Sequence, residues 1–172
     1  MGDRSETVTR LGFAFVLTVA ALAQATFFPA LHVLSIGPDL TLVLILLWSA
    51  ERGALEGLLW AFPAGILLDM LAMDPLGFNA LALLPAALIG GLGRRRIVHS
   101  GVLQPMLLVI AATAAHWCVA AILGALLGAG YSLVFSARLG LLTALLNVAI
   151  VPFLYLIMLV LERLGVVRAA QA

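Results

Sequence analysis

Between Val102 and Ala129 the chain runs without a single Asp, Glu, Lys or Arg. A helix needs about 20 apolar residues to cross a hydrocarbon core of about 30 Å, so this one stretch is long enough. Further apolar runs extend from Leu11 to Phe28, Leu40 to Ala50, Gly53 to Leu71, Leu76 to Gly93 and Leu139 to Leu161. Composition agrees: 65% of the 172 residues are hydrophobic and 10% are charged, against about 45–50% and 25% in soluble domains. Mean hydropathy is +1.22. Eight acids and nine bases cannot supply the polar skin of a globule. The chain reads as an integral membrane protein. A soluble enzyme, a basic nucleic-acid binder, a disordered tail and a disulfide scaffold are all disfavoured, and Cys118 alone makes neither an internal disulfide nor a zinc site.

Charges, Pro and Gly divide the chain into six expected spans, about 11–28, 38–50, 53–71, 76–93, 102–129 and 139–161, forming one all-α bundle. Residues 1–10 and 162–172 are expected as tails. The second span is short, and only Glu51 and Arg52 separate it from the third. The pair is read as a tight helical hairpin, with one long bent segment as the alternative. Short cytoplasmic loops collect Arg. Six spans with both termini inside put Arg4, Arg10, Arg52, Arg94, Arg95, Arg96, Arg163 and Arg168 on the cytoplasmic side and leave only Arg138 outside. Arg4 and Arg10 before a run ending Ala23-Gln24-Ala25 also fit a cleavable signal peptide. The run continues through Thr26, Phe27 and Phe28, so the reading adopted is a retained helix.

Gly53, Gly57, Ala61 and Gly65 recur every four residues, with Asp69 on the same step. Small residues at this spacing let another backbone approach closely; the other helix belongs either to this chain or to a partner. Pro63 in mid-span is expected to kink the helix. Asp39, Asp69, Asp74 and Asn79 are expected together at the outer rim, where Asp39 suits the N-cap of the second helix and Asp74-Pro75 with Gly77 suits a turn. The same rim could recognise another protein.

On the inner side Arg94, Arg95 and Arg96 with His99 are expected as a basic loop that sets topology and attracts anionic lipid. Glu56 could pair with Arg52 one turn away. His116 and Asn147 lie within the fifth and sixth spans and read as hydrogen-bonding glue. Without a carboxylate at its depth, His116 would make a poor proton relay. Trp48 reads as packing, with a possible anchoring role beside Arg52. Phosphate loops, nucleophile elbows and zinc-protease motifs are absent, so neither catalysis nor a cofactor is expected.

Pro38-Asp39-Leu40, the apolar run to Trp48, the Arg52-Gly53 turn, Gly57, Gly65-Ile66-Leu67-Leu68-Asp69 and Pro75-Leu76-Gly77-Phe78-Asn79-Ala80-Leu81 resemble, in order and spacing, the rod shape-determining protein MreD family. The motifs lie between Pro38 and about Gly91; elsewhere only hydropathy is similar. The resemblance implies a bacterial inner-membrane protein of the cell-elongation machinery without catalytic activity. It also implies association with MreC and, through it, with MreB, RodA and a transpeptidase, supporting lateral peptidoglycan synthesis. No nucleic-acid partner is implied. The family is also similar to the six-helix substrate-binding components of energy-coupling-factor vitamin transporters, which makes a small-molecule transport subunit the alternative. Asp39, Gly65, Asp69, Gly77 and Asn79 carry over as structural or interaction positions. The expected partner surface is the outer rim together with the small-residue face of the third helix, including Gly53 and Gly57.

Overall fold

The computed structural model describes residues 2–30, 37–97, 103–128 and 133–163, which form six α-helices without a strand among the described residues. They are α1 (Gly2–Ala30), α2 (Leu40–Arg52), α3 (Ala54–Ala72), α4 (Phe78–Ile97), α5 (Leu103–Leu126) and α6 (Leu133–Arg163). Helices suit a chain this apolar because each backbone N–H and C=O bonds within its own segment, as lipid requires. Among the described residues, Glu6–Thr26, Ala54–Ala72 and Leu103–Leu126 are long and apolar enough to cross a membrane. Phe78–Gly93 and Arg138–Leu154 are shorter apolar stretches.

The centre of the bundle is α2. Its 13 residues rise only about 20 Å, yet every residue from Thr41 to Ala50 is buried, and the helix touches each of the other five. A helix apolar on all sides is stable only when wrapped on all sides, and α2 meets that condition with protein. Trp48 is fully buried and stacks on Phe13 of α1 at 3.9 Å between ring centres, with Trp60 of α3 edge-on to Phe13 at 5.6 Å. The anchoring role considered for Trp48 is therefore replaced by core packing, although the Arg52 guanidinium does lie 5.2 Å from its ring centre.

One residue joins α2 to α3. Gly53 takes φ 104° and ψ 160°, a backbone state that side chains disfavour, and its N–H bonds the Ser49 carbonyl at 2.8 Å. The two helices form a hairpin rather than one bent rod. A Cβ on Gly57 would press into the Ser49 side chain, and one on Gly65 would overlap the backbone of Ala80 and Asn79 in α4. On α4, Gly90 approaches the Leu46 carbonyl and Gly91 approaches Ala54. The Ser49 hydroxyl donates to the Ala87 carbonyl across this contact. The α2–α3–α4 unit is thus packed on small residues from both sides, which allows the dispersion contacts that hold helices together in lipid.

Several ends differ from expectation. The first helix begins at Gly2 instead of Leu11 and continues through Pro29, so most of the expected N-terminal tail is helical. Its polar turns are retained because they find partners: Arg10 donates to Glu56 at 2.9 Å, and Glu6 lies 3.9 Å from Arg52. The Arg52–Glu56 pair expected within the hairpin gives way to these cross-helix pairs. The fourth helix runs to Ile97, placing Arg94, Arg95 and Arg96 on its last turns instead of in a loop, while His99 lies outside the described residues. The sixth helix starts at Leu133 and takes in Arg138, which had been placed in an outer loop. Residues 162 and 163 of the expected C-terminal tail belong to α6, and the rest of that tail lies outside the described residues.

Candidate functional site

Two polar clusters hold chemistry that an apolar bundle keeps only for a reason. The first surrounds the start of α2. Asp39 caps that helix, its carboxylate accepting the Leu42 N–H at 2.9 Å. Its own N–H donates to Asn147 Oδ1 of α6 at 2.6 Å, and Asn147 Nδ2 donates to Thr113 Oγ1 of α5 at 2.9 Å. The Thr113 hydroxyl passes the chain on to the Val109 carbonyl at 2.8 Å. His116 Nδ1 lies 2.9 Å from the Ala82 carbonyl of α4, and its Nε2 lies 3.9 Å from Asp39 Oδ2. From α1, Gln24 Oε1 accepts the Thr41 N–H at 3.1 Å.

This cluster joins α1, α2, α4, α5 and α6 and satisfies two of the free N–H groups at the start of α2. Asp39 is 8% exposed and stands beside His116, which meets α4 at Ala82, three residues on from Asn79. His116 therefore does have a carboxylate beside it.

The second cluster is built on Asp69, which is fully buried. Its Oδ2 accepts the Gly77 N–H at 2.7 Å, and its Oδ1 accepts the Asn79 backbone N–H at 2.8 Å and the Asn79 side-chain amide at 2.9 Å. The same amide reaches Asp74 Oδ2 at 3.1 Å. Gly77 at φ 93° and Met73 at φ 58° turn the chain between α3 and α4. The carboxylate thus closes the turn and satisfies the N-terminal donors of α4, where negative charge is favoured. Asp69, Asp74 and Asn79 come together as expected; Asp39 bonds to none of them in this network.

The small-residue stripe is occupied. Gly57, Ala61, Gly65 and Asp69 are buried, with Gly57 and Gly65 closed against α2 and α4. The face expected to receive a partner is filled by the chain's own fourth helix, because α4 carries matching small residues. That match lies in the spacing of Ala82, Ala86 and Gly90 and of Ala87 and Gly91. The roles of Thr113, Gln24 and Ser49 had no sequence signal. What remains exposed at the α3–α4 end is Met73, Asp74, Pro75 and Leu76, with Met73 94% and Leu76 76% exposed. Among the described residues no three His, Cys, Asp or Glu side chains converge on a metal position.

Apolar helices able to span a membrane, a wrapped central helix and polar groups committed to joining helices define a helical membrane protein. The family model described as rod shape-determining protein MreD matches residues 4–164. The chain belongs to that family, which makes it a rod shape-determining membrane protein. No curated protein and no solved structure matches it.

Proposed function

We propose that the protein is a non-catalytic scaffold of the cell-elongation machinery in the bacterial inner membrane. In this reading all six helices cross the bilayer with both termini cytoplasmic, and the outer end binds an MreC-like membrane protein. Through that partner it supports lateral peptidoglycan synthesis by MreB, RodA and a transpeptidase. The observation that carries the reading, beside the family match, is the use made of the buried polar groups. Asp39, Asp69, Asn79 and Asn147 cap and join helices, which is what holding a fixed shape requires.

The partner surface differs from the one first expected. With the small-residue stripe filled, the exposed turn Met73–Leu76 and the adjoining outward residue Met70 offer apolar contact at the end opposite the Arg10–Glu56 pair. Large exposed apolar side chains beside a charge, here Asp74, have the composition of protein contact surfaces. Depletion with complementation tests the function. Cells losing this protein should lose rod shape and sidewall incorporation of new peptidoglycan, and the wild-type chain should restore both. Normal sidewall incorporation after full depletion contradicts the proposal.

A further inference from the structure

We propose a site for one long-lived water molecule at the junction of α1, α2 and α3, bound by Trp48, Arg52 and Glu56. Charged side chains from the three helices meet there. Arg10 of α1 donates to Glu56 Oε1 of α3 at 2.9 Å, and Glu6 Oε1 of α1 lies 4.0 Å from the Arg10 guanidinium. The Arg52 guanidinium of α2 lies 3.9 Å from the same Glu6 oxygen and, by its Cζ, 5.2 Å from the Trp48 ring centre. Trp48 is fully buried, and the Arg52 side chain is 8% exposed.

Three buried atoms on these side chains have no hydrogen-bond partner among the described residues: Trp48 Nε1, Arg52 Nε and Glu56 Oε2. Thr41 Oγ1 shares that condition but stands at the other end of α2. Buried polar groups are bonded as a rule, and three on adjoining side chains call for one explanation. Glu56 follows Arg52 by four residues, the spacing that lets side chains meet on a continuous helix. Gly53 at φ 104° interrupts the helix between them, and Arg52 turns to Glu6 instead.

The chemistry of the three atoms selects the ligand. Two N–H donors and one carboxylate oxygen suit a molecule that accepts twice and donates once, and a buried water makes about three hydrogen bonds. A cation would be repelled by Arg52 and an anion by Glu56. Arg10 and Glu6, 52% and 55% exposed, border the junction on its open side and give water an entry. The water would tie α1 to the α2–α3 hairpin by satisfying polar atoms that the helices leave unpaired. The inference rests on the fold alone and does not depend on the partner proposed above.

The test is nuclear magnetic resonance of the ¹⁵N-labelled full chain in detergent micelles, reading cross-relaxation between water and the Trp48 indole N–H, which Trp48→Phe identifies by its disappearance. Wild type should show a long-lived water contact at this proton although the side chain is fully buried. Glu56→Met removes the acceptor and should lose the contact, and Arg52→Met should weaken it. Glu6→Gln alters the surrounding charges but none of the three atoms and should keep it. Absence of a water contact in wild type overturns the proposal. So does a contact that persists unchanged in both Glu56→Met and Arg52→Met, or one lost equally in Glu6→Gln.

Discussion

Asn147 accepts the backbone N–H of Asp39 at 2.6 Å, tying the start of the central helix to α6 inside the bundle. Both residues are buried, so neither has water as an alternative partner. The Asn147 amide also donates to Thr113, and one side chain thereby links three helices.

Asn147→Leu should therefore be destabilising although it makes the interior more apolar. A single interhelical hydrogen bond in a membrane averages about 0.6 kcal/mol, but this substitution orphans the buried Asp39 N–H, at about 1–3 kcal/mol for an unsatisfied group, while the Thr113 hydroxyl keeps its bond to the Val109 carbonyl. The expected loss is about 1–3 kcal/mol in detergent unfolding. Thr113→Val, which leaves the bond to Asp39 intact, should cost less than Asn147→Leu.

Asp69 carries more bonds and should show a graded response. Asp69→Asn keeps an acceptor for part of the Gly77 and Asn79 set, whereas Asp69→Leu removes all three bonds. Bonds to a charged group contribute about 1.5–3 kcal/mol each, and they are not additive within one turn. We expect Asp69→Leu to lose about 2–4 kcal/mol and Asp69→Asn about half of that. Thermal unfolding and protease cleavage between α3 and α4 provide the readouts.

Two glycines separate steric from conformational demand. Gly65→Ala sets a methyl onto the Ala80 backbone, which cannot yield as a side chain would, and overpacking of this kind costs about 1–3 kcal/mol. Gly77 has open space around its Cβ position but a φ of 93°, so Gly77→Ala meets backbone strain alone, about 1–2 kcal/mol. Ala80→Gly should rescue neither loss, because the added methyl at position 65 meets the Cα and N of Ala80, which glycine keeps. Full rescue of Gly65→Ala by Ala80→Gly would contradict the close-approach account.

Much of this architecture was legible in the sequence. Apolar runs broken by Arg, Gly and Pro marked the helices, Glu51-Arg52-Gly53 marked the hairpin, and the motif from Asp69 to Asn79 marked a polar turn. The complete burial of α2 was not legible, because a helix of 13 residues wrapped by five others has the same apolar sequence as a short lipid-facing span. The partners of His116 and Glu56 come from other helices, and no local spacing encodes them. The fate of the small-residue stripe required reading two helices against each other, since a stripe on one helix does not state what fills it.

In the proposed function an MreC-like partner is held by the exposed α3–α4 turn. The direct measurement is co-purification from mild detergent, comparing wild type with Met73→Asp and Leu76→Asp, two exposed positions whose substitution leaves the Asp69 bonds in place. An MreC-like protein should accompany wild type and fall at least fivefold in both variants, while the inserted amount and unfolding temperature stay unchanged. Absence of such a protein from the wild-type preparation, or its full retention by both well-folded variants, would contradict the account.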